Sequence, residues 1–214
     1  MLKIEAIPGA PIETNCYFVA DTTMREAILI DAPWQVIEEI RKLKDEFNVN
    51  IKSIVLTHGH WDHIMGASEL KEAFSGNVCI HENDVDLLRN PTFAPFSFNF
   101  KLIPLEPDRI LRNNETITVG RYAFTVISTP GHTSGCICLY NEDDGIMFTG
   151  DTLFSGSYGR LDLGGDPAKM VVSLEHLASF DGNIAVYPGH GPDTILSREK
   201  VWLKNINEII EDVF

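Results

Sequence analysis

Thr57-His58-Gly59-His60-Trp61-Asp62-His63 places four metal-type donors within six positions, directly behind the short apolar run Ser53 to Leu56. No other stretch of the chain restricts its fold so tightly. A strand end is a rigid platform, and the loop leaving it can turn several side chains onto one point. His58 and His60 alternate, so both rings can face the same way, and the turn carries Asp62 and His63 to a neighbouring point. Imidazole and carboxylate suit zinc, with iron or manganese as alternatives. The chain has seven histidines, and three fall in this motif, which a scatter of surface histidines does not explain.

Three later residues extend the set. His132 stands in Thr129-Pro130-Gly131-His132-Thr133-Ser134-Gly135, Asp151 in Phe148-Thr149-Gly150-Asp151-Thr152, and His190 in Tyr187-Pro188-Gly189-His190-Gly191-Pro192. Each follows a strand-like run, and each is preceded by glycine, which lets backbone approach closely. Five histidines and two aspartates suffice for two four-coordinate metals if one carboxylate bridges. His81 and His176 match no such position and read as structural or surface residues.

In this order the residues resemble the metallo-β-lactamase superfamily: His58-x-His60-x-Asp62-His63, then His132, Asp151 and His190, spanning nearly the whole chain. The resemblance implies an α/β fold, a four-layer αββα sandwich of two mixed sheets with helices on the outer faces and the site at one sheet edge. It implies one metal on His58, His60 and His132, a second on Asp62, His63 and His190, and Asp151 between them. Gly150-Asp151-Thr152-Leu153-Phe154 and Gly156-Ser157-Tyr158-Gly159-Arg160-Leu161-Asp162 are similar to glyoxalase II-type thioesterases, in particular the short single-domain ones. The implied activity is thioester hydrolysis by a metal-bridging hydroxide, with two divalent ions, zinc first, and Asp62 both ligating and orienting.

Two departures bear on the substrate. Full-length glyoxalase II has a C-terminal helical region that grips glutathione, whereas only 24 residues follow His190 here. Pro192 occupies the place of the expected glutathione-binding tyrosine. Arg160 is a candidate anchor for a substrate carboxylate, or else pairs internally with Asp162 or Asp166. A persulfide dioxygenase, with one iron on His58, His132 and Asp151, shares much of the pattern, and a lactonase would use the same two metals. β-Lactamase activity is disfavoured, because many such enzymes have cysteine at the position of Asp151.

Charge narrows the partners. The chain of 214 residues carries 17 basic and 31 acidic side chains, net −14, which suits cations and disfavours nucleic acid and nuclease activity. No run approaches the roughly 20 apolar residues of a membrane span. The N-terminus shows no charged-then-apolar leader, so a cytosolic protein is expected, and the resemblance implies a small-molecule thioester as its substrate. Cys16, Cys79, Cys136 and Cys138 form no zinc-ribbon spacing and read as reduced, buried side chains.

The remaining pattern alternates strands and helices in one expected domain, residues 1–214. Met1 to Glu5 reads as an edge strand, Asn15 to Ala20 and Glu26 to Ile30 as a hairpin, and Val36 to Phe47 as a helix opened by Pro33. One helix is expected from His63 to Phe74, a strand meander from Glu115 to Thr149, a helix after Pro167, and a final helix from Arg198 to Phe214. Between Pro91 and Pro107, Phe93, Phe96, Phe98 and Phe100 suggest a loop pinned by its rings, or a lid.

Overall fold

Consecutive side chains of a strand point to opposite faces, and in the central strands of this protein both faces are apolar. In the computed structural model, which describes residues 1–93, 101–181 and 183–211, strand β2 (Thr14–Asp21) sends Cys16, Phe18 and Ala20 to one layer. It sends Tyr17 and Val19 to another. Strand β3 (Glu26–Ile30) divides in the same way, Ala27 and Leu29 against Ile28 and Ile30. Such continuous apolar runs belong to strands buried on both sides.

The first sheet has the order β1-β2-β3-β4-β5-β6. It is completed by β1 (Leu2–Gly9), β4 (Asn50–Val55), β5 (Asn77–His81) and β6 (Arg109–Leu111). The β1–β2–β3 pairings are antiparallel, and β3 to β6 run parallel. The second sheet has the order β12-β11-β10-β9-β8-β7, from β7 (Thr116–Val119), β8 (Tyr122–Ser128), β9 (Ile137–Asn141), β10 (Ile146–Gly150), β11 (Ala185–Pro188) and β12 (Thr194–Ile195). It is antiparallel except where β10 meets β11. Between the sheets lies one apolar layer that includes Val19, Ile28, Ile30, Phe124, Leu139 and Phe148.

Helices close the outer faces. Helix α1 (Ile37–Phe47) contributes Ile40, and α3 (Ala67–Phe74) contributes Ala67 and Leu70, to the layer under the first sheet. Helices α5 (Pro167–Ser179), α6 (Leu196–Leu203) and α7 (Ile206–Glu211) cover the second through Met170, Leu174, Leu203 and Ile210. The short helices α2 (Trp61–Ile64) and α4 (Val85–Arg89) lie on the connections leaving β4 and β5. The architecture is a four-layer αββα sandwich.

The hairpin, the meander and the edge strand β1 stand as the sequence indicates. The differences are local. Helix α1 begins at Ile37, after a turn in which Gln35 has φ 66°. The single helix expected from His63 to Phe74 is two helices meeting at Gly66, whose N–H donates to Ala32 O at 2.8 Å. The last helix starts earlier, at Leu196, and breaks between Leu203 and Ile206; Val213 and Phe214 lie outside the described residues. Strands β6 and β12 were too short to carry an alternating pattern. Phe96, Phe98 and Phe100 also lie outside the described residues, while the Phe93 ring sits 5.5 Å from that of Trp61.

The break at Gly66 fixes the position of α2. A Cβ at this position would lie 3.1 Å from Ala32 O and closer still to Pro33 O. Helix propensity favours alanine over glycine by at most about 1 kcal/mol. A clash with backbone that cannot rotate away costs roughly 1–3 kcal/mol, so the clash wins. Gly66→Ala is expected to lower the denaturant midpoint. An unchanged or raised midpoint would mean that the α2–α3 corner gives way freely.

Candidate metal centre

The chain positions that carry donors all lie past the carboxyl ends of strands. His58 and His60 leave β4, and Asp62 and His63 ride on α2. His132 lies in the β8–β9 connection, Asp151 directly follows β10, and His190 follows β11. Because β10 and β11 are parallel, Asp151 and His190 emerge at the same edge, and the first sheet brings its own loop to meet them.

All seven expected donors converge there. Donor atoms of His58, His60 and His132 lie within 4.8 Å of one another, as do those of Asp62, His63 and His190, and those of His58, His63 and Asp151. His60 Nδ1 approaches His132 Nε2 to 2.7 Å. Asp151 stands between the groups, with Oδ1 3.2 Å from His63 Nε2 and Oδ2 3.3 Å from His132 Nε2 and 3.7 Å from His190 Nε2. Asp62 Oδ2 lies 3.3 Å from His63 Nε2 and 3.2 Å from His190 Nε2.

This arrangement fits metal ions by an independent observation. Among the described residues, the buried side-chain atoms that have no hydrogen-bond partner are His58 Nε2, His63 Nε2 and Asp151 Oδ1. Buried polar atoms are nearly always satisfied, so three orphans inside one donor cluster need an explanation. A cation shared by convergent lone pairs supplies it.

The outer nitrogens of two rings are tied down so that the inner ones face the site. His63 Nδ1 donates to Asp31 Oδ2 at 2.8 Å, and His132 Nδ1 donates to the carbonyl of Arg160 at 2.6 Å. Asp31 also accepts from Thr57 N at 2.7 Å and from Thr57 Oγ1 at 2.8 Å. Thr14 Oγ1 donates to Asp62 Oδ2 at 2.7 Å. Asp84, in the 3-10 turn Glu82–Asp84, accepts from Gly59 N, Thr133 Oγ1 and Gly135 N at 2.7–2.8 Å. One buried carboxylate thus joins the loop of His58 and His60 to the loop of His132. At Gly189 a Cβ would lie 2.7 Å from His63 Cε1 and nearer still to Asp151 Oδ1, so only glycine lets this strand end reach the donors.

Protonation follows the surroundings. Burial, reinforced by His63 and His132, holds the pKa of His58 well below the ordinary histidine value. Burial and the neighbouring His132 bring His60 down to about 4. Both rings are therefore neutral and able to ligate at physiological pH. At His63 burial pulls down, but the carboxylates of Asp62, Asp31 and Asp151 outweigh it and hold the pKa well above the usual range. For Asp62 and Asp151 burial pulls up, and the charge of His63 outweighs it and holds both low. The site concentrates negative charge, as a cation-binding site does.

The donors open onto a cavity of about 550 Å³ lined by Ile12, Trp61, Phe154, Tyr158, Leu163 and Arg160 among others. Arg160 is paired with Asp162, Nε to Oδ1 at 2.7 Å and Nη2 to Oδ2 at 2.6 Å. His81 and His176 lie elsewhere: His81 Nε2 is 3.1 Å from Ser128 Oγ, and His176 stacks on Phe180. The four cysteines are buried and free. No helix among the described residues is long and apolar enough to cross a membrane.

Sequence reasoning missed Thr14, Asp31 and Asp84. The usable signal was the one that singled out Asp151, an acid just past the end of an apolar strand. It applies equally to Asp31 after Ile28-Leu29-Ile30.

Residues 9–190 match the family model described as the metallo-beta-lactamase superfamily. An uncharacterised protein of Aquifex aeolicus is 35% identical over 97% of this chain and 98% of its own. The hydroxyacylglutathione hydrolase GloC of Haemophilus influenzae is 30% identical over 93% and 95%. Among solved structures, the BLEG-1 B3 metallo-beta-lactamase superposes with a TM-score of 0.84 at 31% identity, covering 92% of this chain and 96% of that one. TTHA1623 in a di-iron-bound form superposes with a TM-score of 0.80 at 31% identity, covering 91% and 96%.

Proposed function

This chain belongs to the metallo-beta-lactamase superfamily, and from that premise we propose that it is a binuclear metallohydrolase acting on small thioesters, in the manner of glyoxalase II. The observation that carries the proposal is the placement of Asp151 between two donor sets, His58-His60-His132 and Asp62-His63-His190. One shared carboxylate fits two ions better than one. The relative named for hydroxyacylglutathione hydrolysis and the neighbour carrying two irons support the reading. Zinc is the ion we assign, because its usual ligands are imidazole and carboxylate.

Bound there, divalent ions act as Lewis acids that polarise a water and the substrate carbonyl. The residues of the chain do the rest. His60, Asp62, His132, Asp151 and His190 line the cavity, so a thioester that enters it meets the donors. Thr14 holds Asp62 Oδ2, the oxygen that faces His63 and His190, and the Asp62 carboxylate would orient the attacking water and take its proton. The water oxygen forms the new bond to the acyl carbon. The C–S bond breaks with its electron pair on sulfur. A thiol has a pKa of about 8.5, so the thiolate departs with little need of a proton donor, and no general acid is required opposite Asp62.

The test pairs elemental analysis with steady-state kinetics on S-lactoylglutathione and an acyl-N-acetylcysteamine thioester. Two metal ions per chain and turnover of either substrate are expected, with zinc, iron and manganese all counted. A stoichiometry fixed at one under metal excess, with oxygen consumed on glutathione persulfide and no thioester turnover, would overturn the assignment in favour of a mononuclear dioxygenase.

A further inference from the structure

We infer that this site selects its substrate by an apolar acyl group rather than by the carboxylates of a glutathione carrier, a reading that rests on the thioesterase assignment. Beside the donors, the cavity is lined by Ile12, Trp61, Phe154, Tyr158 and Leu163, and the Phe154 ring stands 5.9 Å from that of His190. Ile12 is 47% exposed.

The wall is preformed. Trp61 is backed by Met65 and Leu102, with Trp34 and Phe93 packed against the same cluster. Tyr158 stacks on Trp202 of α6, ring centroids 6.3 Å apart at 27°. The loop that carries Phe154 and Tyr158 is fastened from below by Glu199, which is 1% exposed. Its carboxylate accepts from Gly156 N at 2.7 Å and from Thr194 Oγ1 and Trp202 Nε1 at 2.6 Å. A fixed apolar surface costs little to organise when a ligand arrives.

Recognition of anions has less to work with. Arg160 is the one lysine or arginine among the described lining residues, and its Nε and Nη2 engage Asp162. An acyl-glutathione brings two carboxylates, and a single guanidinium already shared with Asp162 is the cation this lining offers them. The net charge of −14 opposes such a ligand further.

A fully covered methylene is worth roughly a fourfold gain in affinity. In a cleft open on one side about half of that free energy is expected, so four added methylenes should give roughly tenfold or more. The experiment measures binding of non-hydrolysable ketone analogues of acyl-N-acetylcysteamine to the metal-loaded protein by calorimetry. The series runs from acetyl to hexanoyl, in parallel with kcat/KM on the corresponding thioesters. Affinity should rise about tenfold or more across the series, and Phe154→Ala and Tyr158→Ala should each flatten the rise while metal content stays that of the parent. A flat or falling series overturns the inference, as does an S-lactoylglutathione kcat/KM more than about tenfold above that of lactoyl-N-acetylcysteamine. If the ketones bind with the expected slope but no thioester is hydrolysed, the apolar pocket stands and the thioesterase assignment falls. If thioesters turn over with no chain-length slope, the reverse holds.

Discussion

Asp151→Ala, purified with zinc in excess, should retain almost no bound metal, whereas His190→Ala should retain about one ion per chain. The difference follows from position. His190 Nε2 approaches Asp62 Oδ2 at 3.2 Å and belongs to one donor set, so its loss leaves His58, His60 and His132 with Asp151 as a fourth ligand. Asp151 reaches toward His63 with one oxygen and toward His132 and His190 with the other, so its loss removes a ligand from each. Electrostatic stabilisation by metal is worth several kcal/mol at the transition state, and each 1.36 kcal/mol is about a factor of ten in rate. Hydrolysis by the Asp151 variant should therefore fall by about a thousandfold or more.

The fold should survive that substitution. Asp151 Oδ1 is a buried oxygen without a hydrogen-bond partner, so its removal relieves a desolvation cost but also removes the attraction to His63 that holds the Asp151 pKa low. In chelator the variant should still fold and melt cooperatively, so loss of metal can be told apart from loss of structure. Retention of one firmly bound ion by Asp151→Ala would show that the carboxylate serves a single metal. The two-ion arrangement would then have to be abandoned.

The difference between what the sequence reveals and what it hides follows from how far apart the partners lie. His58, His60, Asp62 and His63 are legible because a single loop presents them all. His132, Asp151 and His190 are legible because each follows an apolar run and a glycine, a pattern visible within seven residues. Asp31 shares with Asp151 its place behind an apolar strand but lacks the glycine before it, and both Asp31 and Asp84 act on partners 25 to 51 positions away, which local sequence does not identify. The helix break at Gly66 was hidden for a similar reason. Local periodicity continues through it, and only the carbonyls of Ala32 and Pro33 forbid a side chain there. Arg160 shows the opposite limit. The sequence points to its guanidinium, yet its carbonyl is the atom that fixes His132.

Asp84→Ala should damage both the fold and one half of the metal centre. Asp84 is 1% exposed and accepts three hydrogen bonds, from Gly59 N, Thr133 Oγ1 and Gly135 N. Alanine leaves the buried N–H groups of Gly59 and Gly135 without an acceptor and Thr133 Oγ1 with Cys136 Sγ, at 3.1 Å, as its partner. At roughly 1–3 kcal/mol for each unsatisfied group, the loss is about 2–6 kcal/mol. That is a large part of the roughly 5–15 kcal/mol that holds a typical domain together, so the variant should melt far below the parent or fail to accumulate. Asp84→Asn is the informative companion. It keeps one carbonyl oxygen for Gly59 N and Thr133 Oγ1, or for Gly135 N, but turns an amide N–H toward the donor that remains. It should fold with a smaller loss, with the tie between the two loops weakened by the bond that is lost rather than cut. Gly59 lies between His58 and His60, and Thr133 is next to His132, so the damage falls on the set His58-His60-His132. Disturbing groups that orient metal ligands typically weakens binding about 10–100-fold. In a chelator competition, one ion should leave Asp84→Asn that much more readily, while the ion held by Asp62, His63 and His190 is retained nearly as in the parent. Equal weakening of both ions, or of neither, would refute the idea that this carboxylate couples the first-sheet loop to the β8–β9 loop and would leave Asp84 with a purely structural part.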